Sequence, residues 1–389
     1  FGADAVYIGG EAFGLRAKAK NFSMKDMKEG VQFAHEHGAR VHVTVNILAH
    51  NDDLEGAAEY LKELKEIGPD ALIIADPAIF MLAKEICPEI ERHVSTQANN
   101  TNYGTFNFWW NLGAKRVVTA RELSLKEIKE IREHIPAEME IESFIHGAMC
   151  ISYSGRCLLS NFFTGRDANQ GACTHPCRWK YSVVEETRPG EYMPVYENER
   201  GTYIFNSKDL CMIEHIPEMI DAGIDSFKIE GRMKTALYVA TVARTYRKAI
   251  DDYLEDPKKY EANMPWYKDQ ISNCTYRQFT TGFYFGKPSE ESQIYDSNTY
   301  IKEYTYLGII GEIKDGMYCI EQRNKFSVGE TIEIMKPDGQ NVEVTVEKIV
   351  DEDGNEQESA PHPKQVLYVA LSGEASVYDI LRRSEGVTE

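Results

Sequence analysis

The chain has 389 residues, 42% of them hydrophobic and 27% charged, enough apolar material for more than one packed domain of roughly 100–200 residues. No apolar run approaches the roughly 20 residues that span a bilayer, and no charged-then-apolar leader opens the chain, so the composition excludes an integral membrane protein and suits a cytoplasmic one. The net charge of −19, from 43 basic and 62 acidic residues, excludes a protein that coats nucleic acid non-specifically but leaves room for a local basic face.

From the start to residue 255, short apolar runs repeatedly precede amphipathic stretches. Strands are predicted at Ala5–Gly9, Val41–Asn46, Ala71–Asp76, His93–Ala98, Arg116–Arg121, Glu140–His146 and Ser226–Glu230. Their near-continuous Val, Ile and Ala content suits strands buried on both faces. Between them, Ser23 opens a helical pattern that Gly38 ends, Asp53 opens one that ends at Gly68, and Ser124 with Glu127 forms a capping-box pattern. This alternation predicts parallel strands joined by crossovers. No Gly-rich dinucleotide fingerprint follows the first strand. The polar residues Asn46, Gln97, Arg121, His146 and Glu230 recur at strand ends, where a closed (β/α)8 barrel gathers its chemistry on one face. The expectation is therefore a TIM-like barrel over 1–255, its first strand missing from the chain, because Phe1–Asp4 reads as the end of a preceding helix.

Residues 150–205 interrupt the rhythm with a cysteine-bearing insertion. Residues 256–300 read as a linker and irregular extension, with Asp256-Pro257-Lys258-Lys259 at its start. From 301 to 389 the pattern is all-β, with predicted strands at Leu307–Ile313, Met317–Gln322, Glu330–Met335, Val342–Ile349 and Val366–Leu371 and a turn at Pro337-Asp338-Gly339. A small C-terminal β-barrel is expected there.

Four of the eight cysteines (Cys150, Cys157, Cys173 and Cys177) fall within 28 residues, where even spacing would put about 0.6. The pattern C-x6-C-x15-C-x3-C offers soft thiolate donors. Structural zinc sites pair ligands two to four residues apart, which only Cys173 and Cys177 satisfy. A four-iron cluster accepts wider, uneven loops because its irons occupy separate corners. Spacing alone leaves three readings open: an iron–sulfur cluster, zinc, or buried or redox-active thiols. Cys87, Cys211, Cys274 and Cys319 read as isolated packing residues.

The run Glu142-Ser143-Phe144-Ile145-His146-Gly147-Ala148-Met149-Cys150, followed by Gly155-Arg156-Cys157-Leu158-Leu159-Ser160, resembles the signature of the U32 peptidase family, also called collagenase-like peptidases. Gly2–Tyr7, Ser95-Thr96-Gln97, Asn206–Leu210, Lys228–Arg232 and Thr280–Phe283 extend the resemblance over essentially the whole chain. It implies a four-iron, four-sulfur cluster on Cys150, Cys157, Cys173 and Cys177. With its length and appended barrel the chain looks most like the prephenate-dependent tRNA uridine hydroxylases of that family, which make 5-hydroxyuridine at the wobble position. Family members begin with one more strand and helix.

The peptidase name finds little support in the residues. There is no H-E-x-x-H or G-x-S-x-G, His35-Glu36-His37 has the wrong spacing for a metal site, and cluster-bound cysteines are not free nucleophiles. For an RNA-modifying enzyme, basic clusters lie at Lys228–Lys248 and at Arg156, Arg166, Arg178 and Lys180, and Tyr153, Trp109, Trp110 and Trp179 are aromatic candidates for base stacking. The expected site therefore comprises His146 and Glu230 as proton-moving groups. Arg16, Asn46, Gln97, Arg121, Lys228 and Arg232 are its substrate contacts, the arginines pairing with a small dicarboxylate co-substrate such as prephenate. Its partners are tRNA or another structured RNA, and no membrane. A peptidase and a non-enzymatic scaffold are the competing readings.

Overall fold

The structure, a computed structural model, describes residues 1–14, 21–149, 152–169, 172–178, 182–183, 193–194, 206–273, 278–287, 293–294 and 304–385. The chain divides into two compact units. One comprises Asp4–Met233 with Gln278–Thr299; the other comprises Phe1–Ala3, Lys234–Arg277 and Tyr300–Glu389.

The first unit alternates strand and helix: β1 (Ala5–Gly9), α1 (Met24–Glu36), β2 (Arg40–Val45), α2 (Asn51–Ile67), β3 (Ala71–Ile74), α3 (Pro77–Ile86), β4 (Glu91–Val94), α4 (Tyr103–Leu112), β5 (Arg116–Val118), α5 (Leu125–Glu133) and β6 (Glu140–Ala148). After α6 (Leu159–Thr164) come β7 (Asp209–Cys211), α7 (Ile216–Asp221) and β8 (Ser226–Ile229). Strands β1 to β6 pair in sequence order, all parallel, and β8 continues the sheet parallel to β6. The far end of β6 pairs instead with the short antiparallel β7. No ladder joins β1 to β8, yet side chains bridge them. The Tyr7 hydroxyl donates to Glu230 Oε2 at 2.8 Å, and Lys228 Nζ lies 4.3 Å from the Tyr7 ring centroid. The sheet thus curls round on itself as a TIM-like α/β barrel.

Local chemistry explains the elements. Val41–Val45 is buried at every position, as a strand covered on both faces requires. Ser23 caps α1 and Ser124 caps α5, each in a reciprocal box with the acid three residues on. Helix α2 starts at Asn51, two residues before the predicted Asp53, whose carboxylate accepts the His50 amide at 2.7 Å; Gly68 ends the helix in the left-handed region.

The barrel interior is polar at mid-depth. The Glu142 carboxylate is buried and accepts from Lys228 Nζ at 2.6 Å, Arg116 Nη1 at 2.8 Å and Ser226 Oγ at 2.8 Å. Burial opposes its charge, but Lys228 and then Arg116 outweigh burial and hold it well below the usual carboxylate range. His42 packs edge-on to His93, with ring centroids 4.7 Å apart. Burial first, and His93 second, push its pKa down to about 3.

In the second unit, α8 (Ala236–Glu255) and α9 (Pro257–Ser272) form a hairpin stapled at Asp252, whose carboxylate accepts from Lys248, Lys259, Asn263 and Tyr267. The sequence reading ended the first domain at 255 and left 256–300 irregular. Instead, Asp256 caps α9 and Pro257 occupies its first turn, and both helices group with the C-terminal strands. After β9 (Phe279–Thr280), which belongs to the first unit, come β10 (Tyr304–Lys314), β11 (Met317–Glu321), β12 (Thr331–Met335), β13 (Asn341–Asp351), β14 (Glu356–Gln357), β15 (Val366–Leu371) and β16 (Ile380–Ser384). The ring β12–β16–β10–β11–β15–β13 closes back on β12, giving a six-stranded antiparallel barrel with β14 beside β13. Its core includes Leu307, Ile320, Phe326, Ile334, Val346 and Val369. Strand β16, absent from the sequence reading, carries the fully buried Arg382 on Glu333 and the Tyr304 ring.

No helix among the described residues is long and apolar enough to cross a membrane.

Candidate functional site

The strands of the first unit deliver their C-terminal ends to one cavity of about 470 Å3, open space included. Asn46, Gln97, Arg121, Lys228, Glu230 and Arg232, all expected from the sequence, line it together. Tyr7, Thr44, Ser95, Thr96, Phe144 and Ser154 complete much of the wall. The inward alternation of β1 pointed to Tyr7, but a tyrosine among apolar residues carries no chemical signal of its own. Ser154 comes from the cysteine-bearing loop.

Each polar group is held by its neighbours. The Asn46 amide donates to Ser95 Oγ, 3.2 Å, and Ser95 caps the turn that carries Gln97. Arg121 lies flat on Phe144, 3.9 Å from the ring centroid, and its Nη1 donates to the Ala148 carbonyl at 2.7 Å. Its Nε is buried without a hydrogen-bond partner, and it makes no ion pair among the described residues. Glu230 accepts from Tyr7 and, at 3.2 Å, from the Arg232 amide. The Arg232 guanidinium donates to Asn21 at 3.0 Å and Thr44 at 3.4 Å. It crosses Gly9, where a Cβ would sit 2.2 Å from its Nη2, so only glycine permits this path. Three cations against one carboxylate make the lining positive on a strongly acidic chain.

The cysteine loop leans on this mouth. Gly155 has φ +72°, and a Cβ there would sit 2.3 Å from Gln97 Oε1. Asn169 fastens the loop to Leu48, accepting its amide at 3.0 Å and donating to its carbonyl at 3.2 Å. Cys157, Cys173 and Cys177 are free thiols, half-buried, and the His175 amide donates to Cys173 Sγ at 3.4 Å. These donors fit a thiolate-bound cluster chemically: soft, reduced, and within reach of N–H···S bonds. Among the described residues no three His, Cys, Asp or Glu side chains are gathered to hold a metal ion, and Cys150 lies outside them, as does Arg16.

Other expected residues sit elsewhere. His146 is 1% exposed and does not line the cavity; the β6–β8 register slips beside it, and its ring packs 5.7 Å from that of Phe279. The basic run at Arg244–Lys248 belongs to the second unit. Arg244 is buried on the Lys336 carbonyl, Gln270 and Asn341, Arg247 pairs with Asp251, and Lys248 pairs with Asp252. Trp109 is core, its indole donating to Asn100 at 2.9 Å, and Trp179 and Lys180 lie outside the described residues. The loop itself exposes Tyr153, Arg156, Arg166, Phe163 and, at 82%, Phe162.

Comparison with known proteins accounts for nearly all of the chain. The model of peptidase family U32 matches residues 1–294, and that of the peptidase family U32 C-terminal domain matches 302–382. The chain is 41% identical to tRNA hydroxylation protein P1 of Bacillus subtilis (strain 168), over 99% of this chain and 91% of that protein. It is 37% identical to tRNA hydroxylation protein P of Escherichia coli (strain K12), over 99% and 93% respectively. A third relative, the 23S rRNA 5-hydroxycytidine C2501 synthase of Escherichia coli (strain K12), is 41% identical over 66% of this chain and 37% of its own length. The chain belongs to peptidase family U32.

Proposed function

We propose that the protein is an RNA-hydroxylating enzyme that makes 5-hydroxyuridine at the tRNA wobble position, with prephenate as co-substrate and a [4Fe-4S] cluster held by Cys150, Cys157, Cys173 and Cys177. The observation that carries this reading is a positively lined barrel cavity walled partly by the cysteine loop, in a chain similar over almost its whole length to proteins named for tRNA hydroxylation. When bound, the cluster supplies electron transfer or activation of the oxygen donor. The chain's own residues do the rest. Arg121 and Lys228 hold an anionic co-substrate, Asn46 and Gln97 orient a base by hydrogen bonds, and Glu230, steadied by Tyr7, accepts or returns a proton. On the outer loop, Arg156 and Arg166 meet phosphates, and Tyr153, Phe162 and Phe163 offer faces on which unstacked bases lie.

Mass spectrometry of tRNA nucleosides from a strain lacking the gene tests this reading. Loss of 5-hydroxyuridine derivatives supports it. Unchanged tRNA with altered protein turnover would favour a peptidase, and a stable RNA complex with neither change would favour a binding scaffold.

A further inference from the structure

We propose that Arg121 and Lys228 form a two-point carboxylate subsite inside the barrel cavity, which selects a dicarboxylate over a monocarboxylate of the same shape. The inference rests on the function proposed above and assigns its anion to particular atoms.

The first observation is the pattern of spent and unspent donors. Lys228 Nζ gives one hydrogen bond, to Glu142, and its other two donors have no partner among the described residues. Arg121 spends Nη1 on Ala148, while its buried Nε is unmatched and no acid pairs with it among the described residues. Leaving buried donors unmatched is costly, and a bound anion would satisfy them. Arg232, by contrast, is spread over Asn21 and Thr44.

The second observation is placement. Both cations line the same cavity and touch the same ring. The Arg121 guanidinium carbon lies 3.9 Å and Lys228 Nζ 6.0 Å from the Phe144 centroid, so one small molecule spans both. The buried Glu142, itself tied to Arg116, anchors the ammonium from below. Arg121 also borders a second, smaller recess formed with Glu122, Met149, Ser152 and Ser154. A carboxylate on Arg121 would therefore sit beside the start of the cysteine loop. A planar fork at the rim and a point charge at the floor suit two carboxylates held apart by a short carbon frame.

The test is calorimetric titration of the purified full chain with prephenate and with phenylpyruvate, which lacks the ring carboxylate. The wild-type protein is expected to bind prephenate at least tenfold more tightly, and equal affinities would overturn the proposal without any variant. R121M and K228M are each expected to weaken prephenate tenfold or more and to narrow its advantage over phenylpyruvate, while K62M on exposed α2 leaves both unchanged. R121K and K228R report on geometry where a methionine variant does not fold: R121K should lose affinity despite keeping its charge. Full prephenate affinity in folded R121M and K228M refutes the subsite even if deletion of the gene abolishes tRNA hydroxylation. Unchanged tRNA in the deletion strain refutes the function instead.

Discussion

Replacing Glu142 by Gln tests the physical centre of the barrel. The amide keeps the size of the side chain but removes a buried negative charge that three donors share: Lys228 at 2.6 Å, Arg116 at 2.8 Å and Ser226 at 2.8 Å. Arg116 retains Glu140, 2.8 Å from its Nε, so the uncompensated charge falls mainly on Lys228. The new amide N–H2 must also face at least one of the existing donors. Breaking a buried ion pair from one side typically costs about 3–5 kcal/mol, and the lower end is expected here because Arg116 keeps a partner. Urea unfolding followed by tryptophan fluorescence and by circular dichroism should place E142Q about 3 kcal/mol below wild type, with E142D recovering part of the loss. The acid limb checks the sign. Glu142 has a depressed folded pKa, so its contribution is complete above the unfolded value of about 4.3 and is lost as pH falls towards the folded value. E142Q should therefore lose less stability than wild type on acidification below about pH 4. A variant within 1 kcal/mol of wild type at pH 7, with an unchanged acid limb, would show that the network does not act as a charged unit.

Other expectations are more local. His42, held at about 3, stays neutral in the folded barrel while the unfolded chain takes up a proton below about 6.5, so wild-type stability should fall between pH 6.5 and 3. His42→Leu should flatten that slope, by up to about 4 kcal/mol across the window; parallel wild-type and variant urea midpoints from pH 7 to 4 would contradict this. Gly155→Ala should lower the midpoint of thermal unfolding through its left-handed backbone and the clash with Gln97, a loss of about 1–2 kcal/mol; adding Gln97→Ala should recover the clash component alone. Arg244→Met should cost about 3 kcal/mol and raise hydrogen exchange in 257–272 and 331–351, where its hydrogen-bond partners lie; unchanged exchange there would refute its bridging role.

Much of this arrangement was legible in the sequence, for definite reasons. Runs such as Val41–Val45 and Ala71–Ile74 are buried on both faces, so their composition alone marks them as inner strands. Strand ends then predict which polar side chains meet, and six of the eight substrate and proton-moving residues expected share the cavity. His146 escapes that logic because the β6–β8 register slips beside it, and alternation cannot foresee a slip. Asp256-Pro257 reads equally well as a linker or as the cap and first turn of a helix, and Pro265 inside α9 disguises its periodicity. Arg244 and Arg382 look like surface charges in a sequence, yet both are buried against polar partners far along the chain. Pairing at that distance leaves no local trace.

The cysteine loop remains the hinge of the functional account, and metal analysis of anaerobically purified protein tests it most directly. Iron and acid-labile sulfide should be present in equal amounts, near four of each per chain as a four-iron cluster requires, and should disappear in Cys150→Ala and Cys173→Ala. Stoichiometric zinc without sulfide, or iron that survives both substitutions, would contradict the proposed cluster.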